Sequence, residues 1–134
     1  LKRKLTGKKL FASIRGGIPQ HNFHVLNIFI RTGHHAVPHT LSTMDQCRIS
    51  WGKVVDMQKQ CVVAVSPLIY QKNQLLLGKP EYKIVTTIAV KPKQGEWVSI
   101  HWGYVCDVLT ERQRNNLERY TQYALVQANT YENL

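Results

Sequence analysis

Three short segments hold the side chains best equipped for chemistry: HNFH at His21–His24, DQCRISWG at Asp45–Gly52 and HWGYVCD at His101–Asp107. Their His, Cys, Asp and Arg residues (His21, His24, Asp45, Cys47, Arg48, His101, Cys106 and Asp107) define a candidate functional or structural cluster, flanked by Trp51 and Trp102. Cys47, Cys106, His101 and His39 are ligand types that Zn or Ni accept. No close Cys-x-x-Cys or His-x-x-x-His chelate is present, and on a single strand His101 and Cys106 would point to opposite faces. The residue types therefore specify neither a metal nor another cofactor. The bland alternative treats Cys47 and Cys106 as small buried apolar residues. A Cys–His nucleophile needs a thiolate of lowered pKa beside a base, and no spacing here joins a Cys to a His. Arg48 can pair with Asp45 or Asp107 as structure. An anion site there would lack a Gly-rich phosphate loop. His24 shares strand parity with Leu26, Ile28 and Ile30 and reads as a satisfied core histidine, while His34-His35 sits in a Gly/Pro loop.

The charge is lopsided. Eighteen basic against eight acidic side chains give +10. From Leu1 to Met44 there are seven Lys or Arg, no acid and five of the six histidines. Lys2, Arg3, Lys4, Lys8, Lys9 and Arg15 form a basic N-terminal arm over residues 1–20, suited either to an anionic partner such as RNA or DNA or to plain solvation. Three cysteines, an odd number without a C-x-x-C, point to a reducing compartment, the cytoplasm. No window of about 20 apolar residues exists to span a membrane. The chain starts at Leu, which fits a fragment, a processed form or a partial sequence.

The elements that must position these side chains are mostly strands. Residues 21–134 read as one domain, α+β, with a mainly antiparallel sheet that could curl into a barrel and one C-terminal helix packed on it. Phe23–Ile30 (FHVLNIFI) reads as a strand buried on both faces, and Leu41–Gln46 as a helical turn. Arg48–Met57 alternates, with Ile49, Trp51, Val55 and Met57 on one face, and Cys61–Leu68 returns beside it. A second hairpin turns at Lys72-Asn73, and Tyr82–Val90 is a further strand. Glu96–Val105 is predicted as a last single strand, its core face running through Val98, Ile100, Trp102, Tyr104 and Cys106. Trp97 falls on the other face near Lys91 and Lys93, where it could stack a base. Thr110 with Gln113 forms a capping box that starts a helix over 111–128, carrying Leu117, Tyr120, Thr121, Ala124, Leu125 and Ala128 on one stripe.

Taken together, H-x-F-H-V at His21–Val25, D-x-C-R-I-x-W-G at Asp45–Gly52, H-W-x-x-V-C-D-x-L-T at His101–Thr110 and the helix ending in Ala128-Asn129 resemble a family of uncharacterised prokaryotic proteins associated with nickel–iron hydrogenase gene clusters. The match spans roughly residues 20–129. Family members carry an additional N-terminal part to which residues 1–20 do not correspond, which favours the fragment reading. The resemblance implies an accessory or assembly role beside a metalloenzyme and supplies no catalytic residues.

Three functions follow as expectations. The first is a non-catalytic accessory protein binding a partner protein, such as a nickel–iron hydrogenase or its maturation machinery. The second is a basic β-domain binding RNA or DNA, including a ribosome-associated one. The third is a small hydrolase or metal enzyme using Cys47, His101, Cys106 or Asp107.

Overall fold

Burial of a second face converts the expected first strand into a helix. A computed structural model of the chain describes residues 21–28 and 41–132. In it His21–Phe23 forms a helical turn, α1, that widens into a π-helical turn over His24–Ile28. Asn22, Phe23, Val25, Leu26 and Asn27 are all buried. Their spacing covers most of a helical circumference, and an apolar run this short looks the same as a doubly buried strand. The side chain of His24, the arm over 1–20 and the loop histidines His34, His35 and His39 lie outside the described residues.

Leu41–Cys47 forms α2, as expected. Seven strands follow: β1 Ser50–Asp56, β2 Cys61–Val65, β3 Leu68–Gln71, β4 Gln74–Leu77, β5 Glu81–Val85, β6 Trp97–His101 and β7 Tyr104–Leu109. The chain then enters α3, Glu111–Glu132. Five strands form an antiparallel sheet in the order β5-β2-β1-β6-β7, and β3-β4 is a separate hairpin. The sheet does not close into a barrel. One isolated bridge, Thr86 to Tyr104, ties the ends of its two edge strands.

Turn chemistry explains both tight hairpins. Lys72 and Asn73 have φ of 52° and 61°, the left-handed pair of a two-residue hairpin loop. Trp102 and Gly103 do the same at 52° and 78°. That second turn breaks the predicted single strand over Glu96–Val105 into β6 and β7. Val98 and Ile100 stay in the core, but Trp102, Tyr104 and Cys106 are thrown onto the surface. A glycine after an aromatic was the available sign of this turn. Strand β5 also ends early, at Val85 rather than Val90.

Two apolar clusters result. One lies against the five-stranded sheet and is built from Val54, Cys61, Val63, Val65, Val85, Val98, Ile100 and Val105. The other joins the helices to the β3-β4 hairpin through Phe23, Val25, Leu26, Met44, Leu68, Leu75, Ala124, Leu125 and Ala128. The stripe of α3 is therefore covered by α1, its π-helical continuation and β4 more than by the main sheet. The capping box is present: Gln113 N–H donates to Thr110 Oγ1 at 3.1 Å and Thr110 N–H to Gln113 Oε1 at 2.9 Å. Asn129 clamps the helix end to β4, accepting from Leu75 N–H at 2.8 Å and donating to its carbonyl at 3.0 Å.

In β1 the buried positions are Ser50, Gly52 and Val54, while Trp51 and Val55 on the more apolar face are half-covered. Gly52 is small because its ladder partner on β2 approaches closely. A Cβ there would stand 2.7 Å from Val65 Cγ2 and 2.8 Å from the Ala64 carbonyl oxygen. The carbonyl belongs to the β1–β2 ladder and cannot retreat without loosening it. Gly52→Ala should cost about 1–3 kcal/mol, read as a lower urea midpoint at unchanged m-value.

No helix among the described residues is long and apolar enough to cross a membrane.

Candidate metal centre

One residue from each of the three chemically equipped segments meets at a single point. A ring nitrogen of His21, the thiol of Cys47 and a ring nitrogen of His101 lie within 4.8 Å of one another. Among the described residues this is the grouping of His, Cys, Asp or Glu able to hold an ion. It keeps Cys47 and His101 from the expected ligand set, replaces Cys106 with His21, and does not involve Asp107. Cys106 is exposed on β7, so its reading as a small buried residue is corrected.

The backbone fixes this convergence. The Ser50–Ile100 register of β1 and β6 brings the chain after Cys47 alongside the chain before His101. Trp102 N–H donates to the Gln46 carbonyl at 3.0 Å, pinning the β6–β7 turn to the end of α2. Asn22 grips Ile49 from both sides: its Nδ2 donates to the Ile49 carbonyl at 2.8 Å and its Oδ1 accepts from Ile49 N–H at 2.6 Å. His21 is thus held beside Cys47 by the residue that follows it. The left-handed Trp102, a conformation that costs a bulky residue roughly 1 kcal/mol, lets β6 end on His101 and reverse at once.

Protonation follows from these contacts. His21 Nε2 lies 2.8 Å from the Cys47 carbonyl oxygen. A carbonyl only accepts, so Nε2 is the donor in this contact and Nδ1 is not engaged by it. The His21 and His101 rings meet edge to face at 5.3 Å between centroids. His101 Nε2 is buried and has no hydrogen-bond partner. Burial pushes the Cys47 thiol above its ordinary pKa. Nucleophilic attack and metal ligation both require the thiolate, so either role needs a neighbour that draws off the Cys47 proton.

The other candidates have structural employment. Arg48 is 1% exposed and makes an ion pair with Asp45 at 2.8 Å. Its guanidinium also donates to the Ser66 carbonyl at 2.7 Å. Trp97, read as a base-stacking platform, is engaged by the Arg114 guanidinium at 4.6 Å and the Lys53 ammonium at 6.0 Å from its ring centre. Trp51 is half-buried in β1, and Trp102 is exposed beside His101, with ring centroids 6.2 Å apart.

Against known proteins, the model of a family of unknown function, DUF6390, matches residues 4–133. The chain belongs to DUF6390. The match takes in all three cluster-bearing segments and the closing helix, so in this DUF6390 protein the His21–Cys47–His101 grouping lies within the family region. No curated protein and no solved structure matches the DUF6390 chain.

Proposed function

We propose that this protein is a non-catalytic accessory or assembly protein that acts by binding a partner protein, and that the partner is a metalloenzyme such as a nickel–iron hydrogenase or its maturation machinery. The observation that carries the reading is a strip of exposed apolar side chains at the joined edges of the sheet. Tyr82 is 80% exposed and Ile84 60% on β5, and Ile88 beyond it is 74% exposed. Trp102 and Tyr104, at 46% and 47%, stand at the β6–β7 turn. Backbone bonds from Thr86 N–H to the Gly103 carbonyl and from Val105 N–H to the Thr86 carbonyl draw these two groups together. Clustered exposed aromatics and aliphatics are the mark of a protein interface. Trp102 also abuts His101, which places the strip next to the His/Cys grouping. The resemblance carried by the His21–Val25, Asp45–Gly52 and His101–Thr110 segments supplies the choice of metalloenzyme. The unpaired cysteines support a cytoplasmic setting.

Native purification at low salt, with protein, nucleic acid and metal identified in one sample, tests this. A metalloenzyme subunit should copurify, and Trp102→Ala should weaken its binding about tenfold or more, as truncation of an interface aromatic does. Recovery of RNA or DNA instead, lost at high salt, would move the function to the basic arm.

A further inference from the structure

We infer that His21, Cys47 and His101 form a three-ligand site for a thiophilic late first-row metal ion, Zn2+ or Ni2+ in class, with one coordination position open to solvent or partner. The donor set is two imidazoles and one thiolate, which favours those ions over Ca2+ and Mg2+, whose ligands are oxygens. Each ligand carries a separate mark of the role. His21 donates Nε2–H to the Cys47 carbonyl, the outer contact that metal-bound histidines make, and so offers Nδ1. His101 Nε2 is buried without a partner, a cost that a metal bond removes. Cys47 is half-buried and unpaired, and the ion would displace its proton.

The dimensions are compatible. Bonds of about 2.0–2.1 Å to nitrogen and 2.3 Å to sulfur put tetrahedral donors about 3.3–3.7 Å apart. One ring nitrogen of each histidine and the Cys47 sulfur are at most 4.8 Å apart, so side-chain movements of about 1 Å close the set on an ion. His21 is exposed, which leaves the fourth direction accessible. Three protein ligands with an open position characterise zinc sites that take water or an outside ligand in the fourth place, whereas structural zinc is enclosed by four. The site stands independently of the partner assigned above, since it can be loaded on the isolated chain.

Titration of the chelator-treated full chain with Co2+ is the test, read by absorbance. One Co2+ per chain should give a thiolate-to-metal band in the near ultraviolet and tetrahedral bands in the visible, both displaced by Zn2+. Cys47→Ser should abolish the thiolate band, Cys106→Ser should leave it, and His101→Gln should weaken binding at least tenfold. A second reading needs no variant: with Zn2+ bound, alkylation of Cys47 should slow at least tenfold while exposed Cys106 reacts as before. Absence of a thiolate band in the wild type, its survival in Cys47→Ser, or undiminished alkylation of Cys47 under Zn2+ would overturn the assignment.

Discussion

Replacing Arg48 with leucine should cost about 3 kcal/mol of stability. The guanidinium is 1% exposed and joins three stretches of chain: Asp45 at the end of α2, Ser66 after β2 and, through Asp45, the start of β3. Asp45 Oδ1 accepts from both Arg48 Nε at 2.8 Å and Leu68 N–H at 3.1 Å. The apolar replacement would leave the Ser66 carbonyl without that donor and a carboxylate without its counter-charge. Removing one partner of a buried pair costs about 3–5 kcal/mol. Asp45 keeps a quarter of its side chain in solvent, so water repairs part of the loss and the lower end applies. Urea unfolding measures it, and a loss below about 1 kcal/mol would mean that the guanidinium is hydrated rather than enclosed.

Asn22→Ala should be comparably severe, at about 3 kcal/mol. The Asn22 side chain is fully buried and makes three hydrogen bonds: Nδ2 donates to the Ile49 carbonyl and to Thr121 Oγ1, both at 2.8 Å, and Oδ1 accepts from Ile49 N–H. Alanine strands a backbone donor, a backbone acceptor and a buried hydroxyl at once. Each bond contributes about 1 kcal/mol net, and each orphaned group adds a desolvation penalty of similar size. Asn22→Asp keeps an acceptor for Ile49 N–H but sets a buried carboxylate oxygen against the Ile49 carbonyl, so it should destabilise at least as much as alanine. Equal stability of all three proteins would show that α1 is not anchored through this side chain.

The parts of the fold written in local chemistry were legible in the sequence. Thr110 and Gln113 announce the cap of α3, Lys72-Asn73 announces a two-residue turn, and the apolar run that returns from Cys61 announces β2. What escaped depends on contacts between distant residues. The run from Asn22 to Asn27 carries buried side chains on most of its circumference because α3 and the β3-β4 hairpin enclose it, and that enclosure decides helix over strand. The Trp102 turn needs a left-handed tryptophan, which no propensity favours, and is held by the Gln46 carbonyl, far earlier in the chain. Of the site, Cys47 and His101 stood out by type. His21 did not join them as a ligand, because a strand would have carried it away from the end of α2. The buried Asn22 and Asn27, set among apolar neighbours, were the overlooked sign of a helix bonding outward to other elements.

The tether between Asn22 and Thr121 spans 99 residues, and that separation sets an order of events in time. A growing chain exposes Cys47 early, His101 later, and the partner that steadies α1 later still. At about 5–20 residues per second, the interval between making Cys47 and making Thr121 is on the order of ten seconds. Until β6 and His101 are made the donors have no common scaffold, so an ion meeting the nascent chain finds a lone thiol and a loose imidazole. Completion of α3 adds the contact that steadies α1, so a protein interrupted before its last helix would hold Cys47 and His101 together but His21 only loosely.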